Sequence, residues 1–362
     1  MKKIVFTGGG TGGHIYPNLA IIDDIKQKAE IFYIGSNGME KEIIKNNNIS
    51  FFEISSCKFK RTFSLSNLLI PFKLLKSISQ AKKILKQIKP DIIFSKGGYV
   101  SLPVVIAGHS LKIPVISHES DLTLGLANKI CLKFSNYMCT SFEKTAEKIG
   151  KKGIYTGSPI RKQILNGNKL NAKKLFKNYS CNPTILIIGG SLGSKIINNT
   201  IFNSLKKLCN FNIIHLVGKG NYTKKYDKFD NYIQLEFSNN MQDLYALSDI
   251  VISRAGSNVI NEILALKKLN ILIPLSKQAS RGDQILNAEY FEELGYSYVI
   301  KEEDLTSTAL LKAINYVTKN KDFYINNMKE AKNNIANDKI IKLLLKDNKK
   351  NAWKSIFYFF IL

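Results

Sequence analysis

The sequence predicts an α/β protein of two similar domains facing each other, each a parallel sheet with helices on both faces. Three observations predict it. Short runs rich in Ile, Val, Leu and Phe alternate with stretches whose apolar residues recur at helical spacing, the pattern of repeated βαβ units. Two runs enter glycine-rich turns: Ile4-Val5-Phe6-Thr7 leads into Gly8-Gly9-Gly10-Thr11-Gly12-Gly13-His14, and Ile185-Leu186-Ile187-Ile188 leads into Gly189-Gly190-Ser191-Leu192-Gly193-Ser194. Downstream of each turn the chain repeats itself in kind. Asp91-Ile92-Ile93-Phe94-Ser95-Lys96-Gly97-Gly98 matches Asp249-Ile250-Val251-Ile252-Ser253-Arg254-Ala255-Gly256 as acid, apolar strand, Ser, cation, small residue, Gly. The same parts in the same order argue for two domains of one kind.

In chain order, strands are expected at 3–6, 31–35, 51–54, 91–95, 113–117, 136–140 and 153–156, then at 184–189, 213–217, 231–235, 249–252, 270–273 and 297–300. Helix-length segments separate them, beginning with Pro17–Ile22. The polar stretch after Gly157-Ser158-Pro159 marks the boundary, giving a first domain over 1–159 and a second over 160–345. A Lys- and Asn-rich region follows, and then Trp353 to Leu362, so that 346–362 forms a basic and then apolar tail, too short to span a bilayer. Each glycine turn aims backbone N–H groups and the positive end of a helix dipole at whatever lies above the sheet, which suits an anion.

At 362 residues with 44% hydrophobic content, the chain has material for two substantial cores. Its five cysteines, Cys57, Cys131, Cys139, Cys181 and Cys209, are scattered and never spaced as CxxC. That speaks against a disulfide framework or zinc site and for a reducing compartment. Met1-Lys2-Lys3 passes through three apolar residues into the glycine turn, which predicts no signal peptide.

The charge is high: 53 Lys and Arg against 28 Asp and Glu give +25, favouring polyanionic partners. Between Ile54 and Pro90 there is no carboxylate, while Lys58, Lys60, Arg61, Lys73, Lys76, Lys82, Lys83, Lys86 and Lys89 interleave with apolar residues. Two readings divide this segment. For Ile78–Ile88 the apolar stripe is expected to pack on the sheet; for Phe63–Leu75 it is expected to meet a membrane interface, with lysines at anionic lipid.

Seven motifs, GGGTGGHIYP at 8–17, SKGGYVSLPVVIAG at 95–108, HESDLTLGLANK at 118–129, GSPIR at 157–161, GGSLGS at 189–194, SRAGSNVINE at 253–262 and ASRGDQILNA at 279–288, stand in the order and spacing of the MurG family of bacterial N-acetylglucosaminyltransferases, glycosyltransferase family 28. The resemblance runs from the start of the chain to about residue 335. It implies a GT-B architecture of two Rossmann-like domains, with UDP-GlcNAc held mainly by the second and a lipid-linked acceptor reaching the first. The implied reaction is inverting transfer of N-acetylglucosamine to undecaprenyl-pyrophosphoryl-MurNAc-pentapeptide (lipid I), making lipid II for peptidoglycan. Its implied place is the cytoplasmic face of the cell membrane, as a peripheral protein on an anionic surface.

Charge on a departing nucleotide diphosphate must be met by a metal or by fixed dipoles and cations, and no DxD-like pair stands beside either turn. No metal and no cofactor are therefore expected. The second turn offers Gly190, its neighbouring N–H groups and the Ser191 hydroxyl, and the resemblance adds Arg161 as a charged contact. It also places main chain near Ser253 and Arg254 at uracil, Glu262 at the ribose hydroxyls and Gln284 at the sugar. Asp283 stands where some relatives carry a second glutamine, and Asp121 where some carry a sugar-contacting Asn. An aspartate accepts but does not donate, so that contact carries over only in part. Thr11, Gly12 and Gly13 are expected near the donor sugar and acceptor pyrophosphate.

The acceptor hydroxyl must lose a proton as it attacks, and His14 and Glu119 are the candidate bases. His14, at a helix start that opposes its protonation, stands first; Glu119, past a strand end, is base or orienter. His118 reads equally as structural or supporting. The rivals are another GT-B UDP-sugar transferase or a UDP-GlcNAc epimerase, which would not need the basic apolar segment. More distant is a nucleic-acid-binding protein supported by charge alone, with no stacking, zinc or helix-turn-helix signature. An NAD dehydrogenase is disfavoured because neither turn has clean GxGxxG spacing with its acid.

Overall fold

The computed structural model describes residues 1–55, 70–190, 192–277, 281–332 and 336–346. The first half folds into a parallel sheet of seven strands: β1 (Lys2–Thr7), β2 (Ala29–Gly35), β3 (Ser50–Glu53), β4 (Ile92–Ser95), β5 (Val115–Glu119), β6 (Tyr137–Thr140) and β7 (Gly153–Tyr155). The second contributes six: β8 (Thr184–Ile188), β9 (Asn212–Leu216), β10 (Tyr232–Leu235), β11 (Ile250–Ser253), β12 (Leu269–Leu272) and β13 (Tyr298–Val299). Every expected strand is present within a few residues.

Strand order explains why the sequence echo has meaning. The sheets run β3-β2-β1-β4-β5-β6-β7 and β10-β9-β8-β11-β12-β13. In each, the strand feeding the glycine turn lies beside the strand feeding the cation: Thr7 pairs in register with Ser95, and Ile188 with Ser253. Strand order reverses at these junctions, and there the carboxyl ends of the strands leave a crevice for ligand.

Both faces of each sheet are covered, so the central strands are apolar throughout. Ile4 and Phe6 enter one core cluster and Val5, between them, the opposite one, as the two-residue period requires. The helix Ile70–Ile88 divides as expected. Ala81, Leu85 and Ile88 are buried against Val104 and Val105, whereas Phe72 and Leu75 near its start stay 72% and 64% exposed. The rest of the Phe63–Leu75 segment, before Ile70, lies outside the described residues, as do 347–362 of the tail.

One expectation needs correction. The last described helix, Asn337–Leu345, assigned to the second domain, packs on the first: Ala336, Ile340, Leu343 and Leu344 join the core cluster of Ile15, Ile21 and Ile25. Its apolar stripe covers the helix Gly12–Ile25, and Asn337 secures the return, donating to Ala20 O and accepting from Ile160 N. The 157–161 turn is thereby buried and tied down rather than left as an open linker.

Candidate active site

The first glycine turn is held from below by a polar network. Asn18 donates to Thr7 O and Tyr33 OH, and Tyr33 OH donates to Gly8 O at 2.6 Å. From the side, buried Glu40 accepts from Ser36 N at 3.0 Å, from the Ser36 hydroxyl and from Gly10 N at 3.3 Å. Gly98 lies against the turn with φ +83°, and a Cβ there would stand 2.8 Å from Gly9 O and 3.1 Å from His14 Nδ1. Only glycine admits this approach. Thr11 is the N-cap of Gly12–Ile25 but makes no side-chain capping bond. Pro17, inside that helix, cannot donate back to Gly13 O, and Asn258 of the second domain donates to that carbonyl at 3.3 Å.

His14 Nδ1 lies 3.0 Å from Gly9 O and 3.2 Å from Thr11 Oγ1. A carbonyl only accepts, so Nδ1 carries the proton and Nε2 is left as the basic nitrogen. Burial, followed by the positive charge of Lys96, lowers the imidazole to about 4, against a smaller upward pull from the Gly9 bond. His14 is neutral at physiological pH.

Glu119 ends β5 with its carboxylate fully engaged. One oxygen accepts from Ser120 N at 2.8 Å and Asp121 N at 3.0 Å; the other accepts from Gly125 N at 3.0 Å and Asn128 Nδ2 at 2.9 Å. This shapes the 120–125 loop. His118, buried, faces Gly157 O at 3.0 Å through Nε2 and so ties that loop to the 157–161 turn. The loop reaches the second domain: Asp121 accepts from Asn287 at 3.0 Å, Leu122 N donates to Asn287 Oδ1 at 3.0 Å, and Thr123 donates to Asp283 at 3.3 Å. The Ser257 hydroxyl donates to Ser120 O. Burial and then nearby Glu119 raise the Asp121 carboxyl to about 6.

In the second half, Gly193 has φ +73°, and a Cβ there would run into the Val217 carbonyl. Ser194 caps the helix Lys195–Ser204 by accepting from Ile197 N. The Arg254 guanidinium is consumed inside the domain: it donates to Ser194 Oγ at 2.7 Å, to Ile273 O and Pro274 O at 3.2 and 3.3 Å, and pairs with Glu302. Its backbone N donates to Ile188 O, and the Ser253 hydroxyl donates to Arg254 O. Glu262 accepts from Tyr245 OH at 3.0 Å, and burial lifts its carboxyl to about 7 against the opposing effects of that bond and of Arg161. Arg161, just before the helix Lys162–Leu165, stands over the Tyr16 ring of the first turn's helix at 5.1 Å. Gln284 Oε1 accepts from Leu275 N at 3.1 Å, and Asp283 pairs with Arg281. A cavity of about 700 Å³ beside the Arg254–Glu302 pair is lined by Ile196, Pro274, Lys277, Ile285 and Val299, a volume suited to a small ligand.

Thr11, Gly12, Gly13, His14, Glu119 and Asp121 thus gather on the first domain's side of the cleft, with Asp283 reaching Thr123 across it. Arg161 and Glu262 lie close together on the far side. Arg254 turns into its own domain, and Ser191 lies outside the described residues. Sequence reasoning missed Lys96, 1% exposed, whose ammonium donates to the Ser120 hydroxyl. Its position opposite Arg254 in the echo was a usable signal. It also missed Glu40, Asn18 and Tyr33 as supports of the first turn, and nothing local in the sequence marks them.

Two parallel α/β sheets, each with a glycine turn beside the junction where strand order reverses, make a fold of the GT-B class. Sequence models described as the glycosyltransferase family 28 N-terminal domain and C-terminal domain match residues 4–140 and 184–344. The chain belongs to glycosyltransferase family 28. It is 51% identical over 354 residues, 96% of this chain and 100% of the relative, to a protein of Clostridium botulinum (strain Loch Maree, type A3) named UDP-N-acetylglucosamine–N-acetylmuramyl-(pentapeptide) pyrophosphoryl-undecaprenol N-acetylglucosamine transferase. Among solved structures, Acinetobacter baumannii MurG superposes with a TM-score of 0.75 at 23% identity, covering 96% of this chain and 100% of that one. UDP-GlcNAc 2-epimerase from Neisseria meningitidis gives 0.68 at 16%, with the same coverage. At these identities the structures share the fold.

Proposed function

We propose that this protein transfers N-acetylglucosamine from UDP-GlcNAc to the MurNAc sugar of undecaprenyl-pyrophosphoryl-MurNAc-pentapeptide, lipid I, forming lipid II for peptidoglycan synthesis. The near-full-length 51% identity to a transferase of that name carries the proposal. In this reading the second domain holds UDP, with Glu262 at the ribose, Arg161 and the Gly189–Ser194 turn at the diphosphate, and Gln284 and Asp283 toward the sugar. The acceptor hydroxyl gives its proton to His14 Nε2 as its oxygen attacks the anomeric carbon. That carbon inverts, and UDP leaves with the bonding pair.

Glu119 serves as orienter. A carboxylate already accepting four N–H bonds would have to abandon the 120–125 loop to take a proton. The exposed Phe72 and Leu75 among Lys73 and Lys76 supply the membrane contact, as a peripheral protein on the anionic cytoplasmic surface. No helix among the described residues is long and apolar enough to cross a membrane. The excess charge is assigned to lipid rather than nucleic acid.

The test is UDP release by the purified protein from UDP-GlcNAc, with and without a lipid I analogue. Release that requires the acceptor supports the transferase. Turnover of UDP-GlcNAc without acceptor would favour an epimerase, and no turnover would end the proposal.

A further inference from the structure

The two cations of the echo end up in opposite circumstances. Arg254 is satisfied by two carbonyls, a hydroxyl and Glu302. Lys96 is more deeply buried, yet among the described residues it donates only to the Ser120 hydroxyl and forms no ion pair. Its backbone N is fixed to Thr7 O at 2.9 Å, and a Cβ on Gly8 would lie 3.2 Å from Lys96 Cβ and 3.0 Å from His14 O. Its stem is therefore packed against the turn that carries His14, and its head against the loop that carries Asp121. A buried ammonium with so little compensation is costly, and a fold seeking stability alone would place an apolar side chain there.

We propose that Lys96 is a positioning residue for the transfer reaction: with its stem packed against the first glycine turn and its ammonium on the 120–121 loop, it adds to burial in keeping the His14 imidazole in its proton-accepting form and holds Asp121 toward the second domain. The inference rests on the assignment of His14 as base made above. The charged groups around His14 are Lys96, Arg281 and Glu40. Around Lys96 they are Glu119 and Asp121, with Cys139 also near and His118 within its field. Burial brings Lys96 down to about 8, so it keeps its proton at neutral pH, and its charge opposes protonation of His14 while favouring ionised Asp121. Removing it pushes His14 upward.

The experiment compares wild type with K96M and K96R, following His14 by NMR on histidine-labelled protein, assigned through H14Q, together with thermal melting and UDP release from pH 5 to 8. K96M is expected to raise the His14 midpoint by about one pH unit, whereas K96R leaves it near wild type. K96M should melt no lower than wild type, and its deficit in UDP release should widen as pH falls. A purely structural lysine predicts the reverse pattern: lower melting with the His14 midpoint unmoved. An unmoved midpoint in K96M, or K96R titrating like K96M, overturns the proposal. Should K96M fail to fold, K96Q carries the same titration. If wild type releases no UDP with acceptor, the transferase reading fails on its own, while the titration still decides what Lys96 does to His14.

Discussion

The two glycine turns are made of the same parts and stabilised in different ways. The first is braced by its own domain: Glu40, Tyr33 and Asn18 hold its backbone, Gly98 presses against it, and it carries a histidine. At the second, Gly193 is wedged against the Val217 carbonyl, but a Cβ on Gly190 would meet nothing within 4 Å, and the neighbouring arginine is spent on internal bonds. Under the proposed function, the first turn holds a side chain in one protonation state and the second leaves the backbone at Gly190 open to a ligand. The difference teaches that a glycine-rich turn is not one functional unit. What surrounds the glycines decides whether the turn positions chemistry or receives a phosphate.

The sharpest way to break this comparison is His14→Ala. It should lower kcat by about 10²- to 10⁴-fold, the usual contribution of a general base, and leave UDP binding by calorimetry unchanged. In wild type, His14 stays neutral down to about 4, so the acid limb of the rate set by this group should lie below pH 5. Its folded pKa is below the ordinary 6.5, so the unfolded chain binds the proton more readily, and this group's effect on stability is a loss that develops as pH falls from 6.5 toward 4.

Next in size is Glu119→Gln, which replaces an acceptor of four N–H groups by one that presents its own N–H₂ to two of them. Stability in urea should drop by about 3 kcal/mol. Fewer folded molecules but an unaltered pH profile would mark an orienter; loss of the acid limb with full stability would make Glu119 the base.

Gly98→Ala and Gly190→Ala compare the turns directly, since both glycines have positive φ. Each should cost about 1–3 kcal/mol through its positive φ; the first should also depress kcat by displacing His14, and the second, which meets no neighbour, should chiefly raise the KM for UDP-GlcNAc. Smaller again, Glu262→Ala should raise that KM about tenfold, the loss of one or two hydrogen bonds to a buried carboxyl, with kcat nearly unchanged. Smallest in solution is Phe72→Glu, which should leave transfer to a water-soluble acceptor unaltered while reducing binding to anionic vesicles in sedimentation.

The fold was legible almost entirely, because strands buried on both faces read as unbroken apolar runs and successive parallel strands need a crossover, here an α-helix everywhere except between β9 and β10. The exception is instructive. The stripe of Ile340, Leu343 and Leu344 announces a helix that must pack, but amphipathicity does not say on which domain, and only the exposed flank of Gly12–Ile25 decides it. At the site, the residues on the turns were legible because glycine and histidine in such company have few other uses. Glu40 was not, since Met39-Glu40-Lys41-Glu42 reads as an ordinary charged helix start until the chain brings it under Gly10. Glu119 was found but its role was not, because four backbone and amide donors converging on one carboxylate are a property of the folded loop.

The central claim is a division of labour, with proton removal on the first domain and donor binding on the second. Calorimetric binding of UDP-GlcNAc and acceptor-dependent UDP release, measured side by side for His14→Ala and Glu262→Ala, test it most directly. The account predicts that His14→Ala binds the donor like wild type and scarcely turns over, and that Glu262→Ala binds weakly yet turns over at saturation. Weakened donor binding in His14→Ala, or loss of turnover at saturating donor in Glu262→Ala, would contradict it.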